Sequence, residues 1–506
     1  MSTFFRATQK TSVFLMLIAV SILTCSCKSA LDKAVGPAVR DGVVTQEEWH
    51  TIADVAKNNK GYTTEDAGLN VEKLKQYVSD YAKKHRRNLE ELEFEVDISA
   101  YSQSGDLTKN DNQIVFKFFL ERSGSMIPYD DRKNAGQFKD AIITLLGNVP
   151  NNGDSRNLMF VVNNEVTVFK KTFKDFVQSG NIMEDTKGYG DPSNTDFSRI
   201  FDSVLNRTSD NEVSILVSDL IYSTPDHKNL NAQRILSAAL ALSKECFKGH
   251  EDKDILIIKL NADYNGKYYP YNSPNKGYQY DGQRPYYMMI VAKSPVMQRL
   301  FLEKKYNDFC NFKDLNGYEN YYCFTRHNEN PDYSILFKNS SRFAAEKGQK
   351  QIHNIKNLER DRHSGECTLT IAVDMSHIIA EPQYLTDPDN YDVQSRSGFA
   401  ITEITPIDTE KPSTDISHYV PTATHLITLS SSENLCNDQL VVSLKNKFPS
   451  WIEKSSTDDD TNPKHPNFKT TTFAFKSMME GIYQAFYSTS QEHQYYYSLT
   501  FNIKKK

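Results

Sequence analysis

The sequence predicts an α/β fold built on a mainly parallel sheet, preceded by a helical segment and followed by a β-rich, sandwich-like domain carrying one helix. Three patterns carry this expectation. Between residues 113 and 308 short apolar runs alternate with helical periodicities, the βαβ rhythm of a sheet covered on both faces. Beyond residue 360 apolar and polar residues alternate with period two, as in half-buried strands. Before residue 110 the apolar positions fall at helical spacing.

The 506 residues are enough for about two to four domains. With 39% hydrophobic and 25% charged residues the composition is globular. A formal charge of −6, with no basic face in the mature part, argues against nucleic acid as a partner.

Residues 1–27 read as a leader. Arg6 and Lys10 form a positive start, and residues 13–23 are apolar except for Ser21. Such a run is too short for a bilayer, which needs roughly 20 apolar residues, and has the length of a signal-peptide core. Thr24, Cys25, Ser26 and Cys27 follow at once. This stretch resembles the bacterial lipobox, which implies cleavage and lipid attachment at Cys27, with Cys25 as the alternative. An ordinary secretory signal with two incidental cysteines is the competing reading. Lysine after Cys27, where aspartate would imply retention at the inner membrane, implies outer-membrane or surface placement in the bacterial cell envelope. No later stretch is long and apolar enough to span a membrane, so lipid is the expected anchor.

In residues 28–110 Thr45 and Glu48 have the spacing of a capping box opening a helix with Trp49, Ile52, Ala53 and Ala56 on one side. The stretch 41–48 resembles half an EF-hand loop. Pro37 and Val39 stand where its first carboxylates belong, so a plain helical turn is expected. A second helix over 71–84 and a strand over 92–98 complete the region.

The α/β region, 111–308, has expected strands at 114–120, 158–162, 166–169, 213–217, 255–260 and 287–292. Helices are expected at 135–146, 197–205, 232–242 and 296–304. Residues 309–360 read as a connecting segment. In 361–506 Cys367, Leu369, Ile371 and Val373 alternate with polar or small partners, as do Tyr497, Leu499, Phe501 and Ile503; residues 440–444 add a strand. Phe475, Met478, Met479, Ile482 and Phe486 share one helix face, expected to pack on this domain's sheet. Cys310–Cys323 and Cys367–Cys436 are candidate disulfides, against five free thiols as the alternative. Cys246 reads as a small buried hydrophobe.

Glu121-Arg122-Ser123-Gly124-Ser125 follows the first strand of the α/β region. Alternate residues of a loop at that edge direct oxygen-bearing side chains to one point, where open α/β sheets bind ligands. Thr195 precedes the helix at Phe197, and Asp219 ends the next central strand. In this order and context the region resembles a von Willebrand factor A domain, whose metal-ion-dependent adhesion site reads Asp-x-Ser-x-Ser, then threonine, then aspartate. The resemblance implies metal ligation by Glu121, Ser123, Ser125, Thr195 and Asp219. It implies Mg²⁺ or another divalent cation, and a partner protein whose carboxylate completes the coordination. An ion held by few carboxylates and several neutral hydroxyls stays electrophilic enough for that. Glutamate at the first position departs from the pattern, its extra methylene reaching about 1.5 Å further. Two readings therefore stand: a cation site, or a degenerate site held by hydrogen bonds, with Arg122 available to pair with a carboxylate.

The segment 264–287, rich in tyrosine, is expected as a long loop or hairpin. Tyr268, Tyr269 and Tyr271 are candidate partner contacts for protein or glycan; the alternative is tyrosine used for its β-propensity. The acidic run 458–460 reads as a solvated loop, with calcium binding as the lesser reading. The functional expectation is a lipid-anchored envelope protein that binds a protein partner through the cation site. A metal-independent glycan- or envelope-protein-binding module is second. An enzyme is third, since Ser123 and Ser125 lack a histidine partner in sequence and no GxSxG or HExxH occurs.

Overall fold

Trp49, Ile52, Ala53 and Ala56 are all buried on one side of a helix, as their spacing requires. The computed structural model describes residues 29–39, 43–57, 60–62, 69–85, 92–95, 113–180, 182–193, 195–223, 231–327, 330–346, 348–408, 412–487 and 494–505. Cys25, Cys27 and residues 96–98 of the expected strand lie outside them. The chain divides into two units, Met1–Asp111 and Asn112–Lys506. Among the described residues no helix is long and apolar enough to cross a membrane.

The first unit contains α1 (Ala30–Ala38), β1 (Val43–Thr45), α2 (Gln46–Lys57), α3 (Val71–His85) and β2 (Glu93–Glu95). The capping box at α2 is present: Thr45 N–H donates to Glu48 at 3.0 Å, and Glu48 N–H to the Thr45 hydroxyl at 3.4 Å. Val35, Trp49, Leu74 and Val78 meet in its core. β1 and β2 pair in parallel, Val44 opposite Phe94.

The second unit opens with β3 (Val115–Glu121), α4 (Gln137–Gly147), β4 (Leu158–Val162), β5 (Val166–Phe169), α5 (Phe173–Ser179), α6 (Phe197–Asn206) and β6 (Glu212–Ser218). It continues through α7 (Ala232–Phe247), β7 (Lys253–Tyr268), β8 (Tyr278–Lys293), α8 (Ser294–Leu302) and β9 (Tyr318–Phe324). The seven strands lie in the order β5-β4-β3-β6-β8-β7-β9. Period-two alternation splits β3 between two layers: Phe118 and Leu120 pack with Phe138 and Phe173, while Phe119 packs with Phe201 on the other face.

Two expectations are corrected here. The sheet is mixed, not mainly parallel: β3 is parallel to β4 and β6, while β5, β8, β7 and β9 join antiparallel. The reason is the hairpin β7–β8. Its two long arms are joined directly, and a parallel arrangement needs a crossover of a dozen or more residues. The layer also extends past residue 308, because β9 adds an edge strand beside β7.

The sandwich pairs two sheets. One runs β10 (Tyr333–Leu336), β13 (Cys367–Val373), β16 (His425–Ser431), β15 (Ala400–Pro406). The other runs β11 (Ala344–Ala345), β12 (Asn354–Lys356), β20 (Tyr495–Lys504), β17 (Asp438–Lys445), β14 (Tyr391–Gln394). Leu369, Ile371, Ile427 and Leu429 from the first meet Leu440, Val442, Leu499 and Phe501 from the second. A short ladder of β18 (Ser456–Thr457) and β19 (Thr472–Phe473) precedes α9 (Phe475–Tyr487).

The helix α9 does not serve the sandwich. Met478, Met479, Ile482 and Phe486 pack into the cluster formed by Phe201, Ile235 and Ala239, so α9 covers α7 on the α/β layer. Gly481 permits this approach, since a Cβ there would stand 2.4 Å from the Leu240 carbonyl oxygen. Of the two cysteine readings the structure has the second: Cys246, Cys310, Cys323, Cys367 and Cys436 are free thiols, and neither candidate disulfide is formed.

Candidate functional site

The parallel strands β3 and β6 end side by side, with Leu120 opposite Val217. Their next residues are therefore delivered to one point. Glu121 is buried at 1% exposure, and its carboxyl accepts two hydroxyl donors: Thr195 Oγ1 to Oε1 at 2.9 Å, and Ser218 Oγ to Oε2. Asp219, also 1% exposed, takes the Ile221 N–H on Oδ1 at 3.1 Å. Its Oδ2 is buried with no hydrogen-bond partner among the described residues. Ser123 and Ser125 hydroxyls lie 3.1 Å apart, and Met126 N–H donates to Ser123 at 3.2 Å. All five sequence-predicted ligand positions thus converge.

The loops that present them are fixed locally. Asn163 holds the segment carrying Thr195: its Nδ2 donates to the Tyr189 carbonyl at 2.9 Å, and its own carbonyl accepts Asp196 N–H at 3.1 Å. Asp196 then caps α6 by accepting Arg199 N–H. Gly124 N–H donates to the Pro192 carbonyl at 2.7 Å, tying the serine loop to the threonine loop. Leu220 has φ of +51°, a left-handed conformation that costs a branched side chain about 1–2 kcal/mol. Leu220 N–H donates to the Ser218 hydroxyl at 2.9 Å, which helps to hold it there. Backbone strain of this kind gathers at ligand sites.

Electrostatics in this pocket oppose two free negative charges. Burial, then the neighbouring Asp219, push Glu121 up to about 8; hydrogen bonds from Ser218, Thr195 and Ser123 offset only part of this. Burial raises Asp219 as well, with Ser125, the Ile221 N–H and Arg284 working against it. Without a cation the pair holds its proton above the usual carboxylate range. A hard divalent ion fits this donor set. The oxygens are two carboxyls and three hydroxyls, and among the described residues the buried Asp219 Oδ2 has no donor. No group of three or more His, Cys, Asp or Glu residues suited to a metal occurs among the described residues.

Ser123, Ser125 and Thr195 line a cavity of about 1300 Å³ whose other walls include Tyr222, Tyr269 and Tyr271. Tyr269 reaches the serine loop itself, its ring 3.4 Å from where a Cβ on Gly124 would stand.

Two further expectations are corrected. Tyr268 is fully buried and offers no contact surface; its hydroxyl donates to Asp460 Oδ2 at 2.7 Å. Asp460 is no solvated loop residue, being 1% exposed and accepting Tyr271 N–H at 3.1 Å as well. Arg122, offered above as a carboxylate partner, donates its Nε to the Met183 carbonyl at 3.4 Å and has Glu184 as its acidic neighbour. Sequence reasoning missed Ser218, Asn163, Arg284 and Asp460. Ser218 had a visible signal in its place beside Asp219 at a strand end. Arg284 had none, since the Phe468 carbonyl that its guanidinium reaches lies 184 residues further along the chain.

Comparison with protein-family models, with curated proteins and with solved structures yields no match for this chain.

Proposed function

We propose that this chain is a lipid-anchored protein of the bacterial envelope, placed at the outer membrane, that captures a protein partner through a divalent cation. The cation is held by Glu121, Ser123, Ser125, Thr195 and Asp219 in a von Willebrand factor A-like domain, and Cys27 carries the lipid. The observation that supports this best is the meeting of five oxygen-bearing residues from three separate segments at one strand edge, beside an open cavity. Ser123, Ser125 and Thr195 contribute no charge, so the bound ion would retain attraction for a partner's carboxylate. The mixed sheet, with its β7–β8 hairpin, is this chain's own variation on that architecture.

A second reading has its own support. Tyr269 and Tyr271 line the cavity, and such rings stack on sugars or fill protein interfaces without metal. Affinity capture from whole cells, with and without chelator, separates the two. Glu121→Ala and Ser123→Ala are expected to abolish Mg²⁺- or Mn²⁺-dependent capture while the fold survives. Capture that persists in both variants and in chelator sinks the cation reading.

A further inference from the structure

The cavity beside the candidate cation site has an uneven charge. Its lining includes the cations Arg122, Arg132, Lys133, Lys139, Lys187 and Lys267 against the carboxylates Asp130, Asp131 and Glu184, six minus three, an excess of three positive charges. The chain as a whole carries −6, so this wall runs against the balance of the molecule. Lys187 is engaged by Glu184 at 3.5 Å. Arg132, Lys133 and Lys267 form no ion pair among the described residues, while Lys139 lies within electrostatic reach of Asp130. Arg132, Lys133 and Lys267 are exposed. Two of the carboxylates are partly committed: Asp130 Oδ2 accepts Met183 N–H at 2.8 Å, and Asp131 Oδ1 accepts Lys133 N–H at 2.9 Å.

Size and pattern narrow the occupant. At about 1300 Å³ the cavity exceeds the roughly 300–1,000 Å³ of small-molecule sites, which suits a segment of a macromolecule. Asp131 and Glu184 stand among the cations, so a polymer charged at every repeat would meet repulsion at those points. A peptide with acidic side chains set between neutral residues avoids it. The half-buried Tyr269 and Tyr271 offer such a peptide rigid contact area, Tyr271 being stacked on Phe473 at 4.8 Å.

We infer that this cavity takes an acidic segment of a partner protein, whose carboxylates beyond the first are read by Arg132, Lys133, Lys139 and Lys267. The inference rests on the cation reading above, which supplies the site for the first carboxylate and cancels the charge of Glu121 and Asp219. It adds a wall that selects partners by charge and by spacing. Complementary charge of this kind acts on the association rate and is screened by salt.

The test uses the full chain and a fluorescein-labelled peptide of repeating Gly-Ser-Glu, read by anisotropy with Mn²⁺ present. The peptide is expected to bind, and added salt to weaken it. Arg132→Glu, Lys133→Glu and Lys267→Glu together are expected to weaken it about tenfold or more. Lys313→Glu, Lys338→Glu and Lys350→Glu together, exposed lysines outside the cavity lining, control for net charge and are expected to leave binding unchanged. Thermal melts check that each variant folds. Binding that is charge-dependent yet indifferent to EDTA supports the cationic wall and overturns the cation reading. Mn²⁺ binding with no peptide binding, peptide binding unchanged in the triple variant, or preference for oligogalacturonate over the peptide overturns the wall.

Discussion

Thr195 and Glu121 stand 74 residues apart in the chain and share a 2.9 Å hydrogen bond, the threonine hydroxyl donating to Oε1. With Ser218 on the other oxygen, Glu121 is held from two sides in a pocket that resists its charge.

That resistance has a pH signature. Glu121 titrates at about 8 in the fold against an ordinary value of 4.5, so the folded state binds its proton more tightly than the unfolded chain. Its favourable contribution is fully present below about 4.5 and is lost as pH rises through about 8. In EDTA, the melting temperature of the native protein is expected to fall between pH 5 and about 9, and Glu121→Gln to flatten the fall. Equal slopes for the two proteins would refute the assignment. Mn²⁺ is expected to raise the melting temperature of the native chain and not of Glu121→Gln.

A second buried carboxyl, away from the site, behaves alike over a more acidic window. Asp254 is pushed up to about 6 by burial, from an ordinary 3.8, although Ser294 donates to it at 2.8 Å. Its contribution is present below about 3.8 and lost as pH rises through about 6. Asp254→Asn is expected to stabilise the protein above pH 7 by roughly 2–3 kcal/mol, with no gain near pH 4, read by urea melts at both values.

Gly190 and Gly188 provide a matched pair. Both have positive φ, +61° and +91°, but a Cβ on Gly190 would stand 2.0 Å from Asn163 Oδ1, whereas one on Gly188 meets nothing within 4 Å. Gly188→Ala is expected to cost about 1–2 kcal/mol from its backbone alone. Gly190→Ala is expected to cost more, and to weaken Mn²⁺ binding at least several-fold by displacing the asparagine that positions the Thr195 loop. Isothermal titration with Mn²⁺ checks the contrast, and equal affinities in the two variants would contradict it.

Gly481→Ala sets two effects against each other. Alanine favours a helix interior by about 1 kcal/mol. The added carbon would meet the Leu240 carbonyl at 2.4 Å and Ser243 Cβ at 2.8 Å, and overpacking costs about 1–3 kcal/mol. Net destabilisation is expected from chemical denaturation. A stabilised variant would mean that α9 shifts freely over α7.

What the chain reveals locally could be read from it. The run ending in Glu121, the serines at alternate positions, and a strand ending in Asp219 each depend on neighbours close in sequence, and the fold brings those residues together. Period-two alternation likewise located the strands around Leu369 and Leu499. What depended on distant pairing was not legible. Nothing in Phe475, Met478 and Ile482 says which apolar surface their helix covers, and a helix stripe fits α7 as well as a sheet. Tyr268 looks like an interface tyrosine until Asp460 arrives, 192 residues later, to accept its hydroxyl. Parallel and antiparallel strands carry similar apolar runs, so the direction of β8 was decided by the short connection before it.

The path of α9 has a consequence for how this protein can be cut. The chain leaves the α/β layer after β9, builds most of the sandwich, and comes back to cover α7. Only then does it return to place β20 beside β17. Each part is thus sealed by a piece of chain that belongs, in order, to the other. A fragment ending near residue 324 would bare the α7 face that Met478 and Phe486 cover, and a fragment beginning there would carry α9 with nothing to lie against. The smallest piece expected to fold when excised is therefore the whole span from Asn112 onward, and gene-level shuffling that respects folding would move it entire.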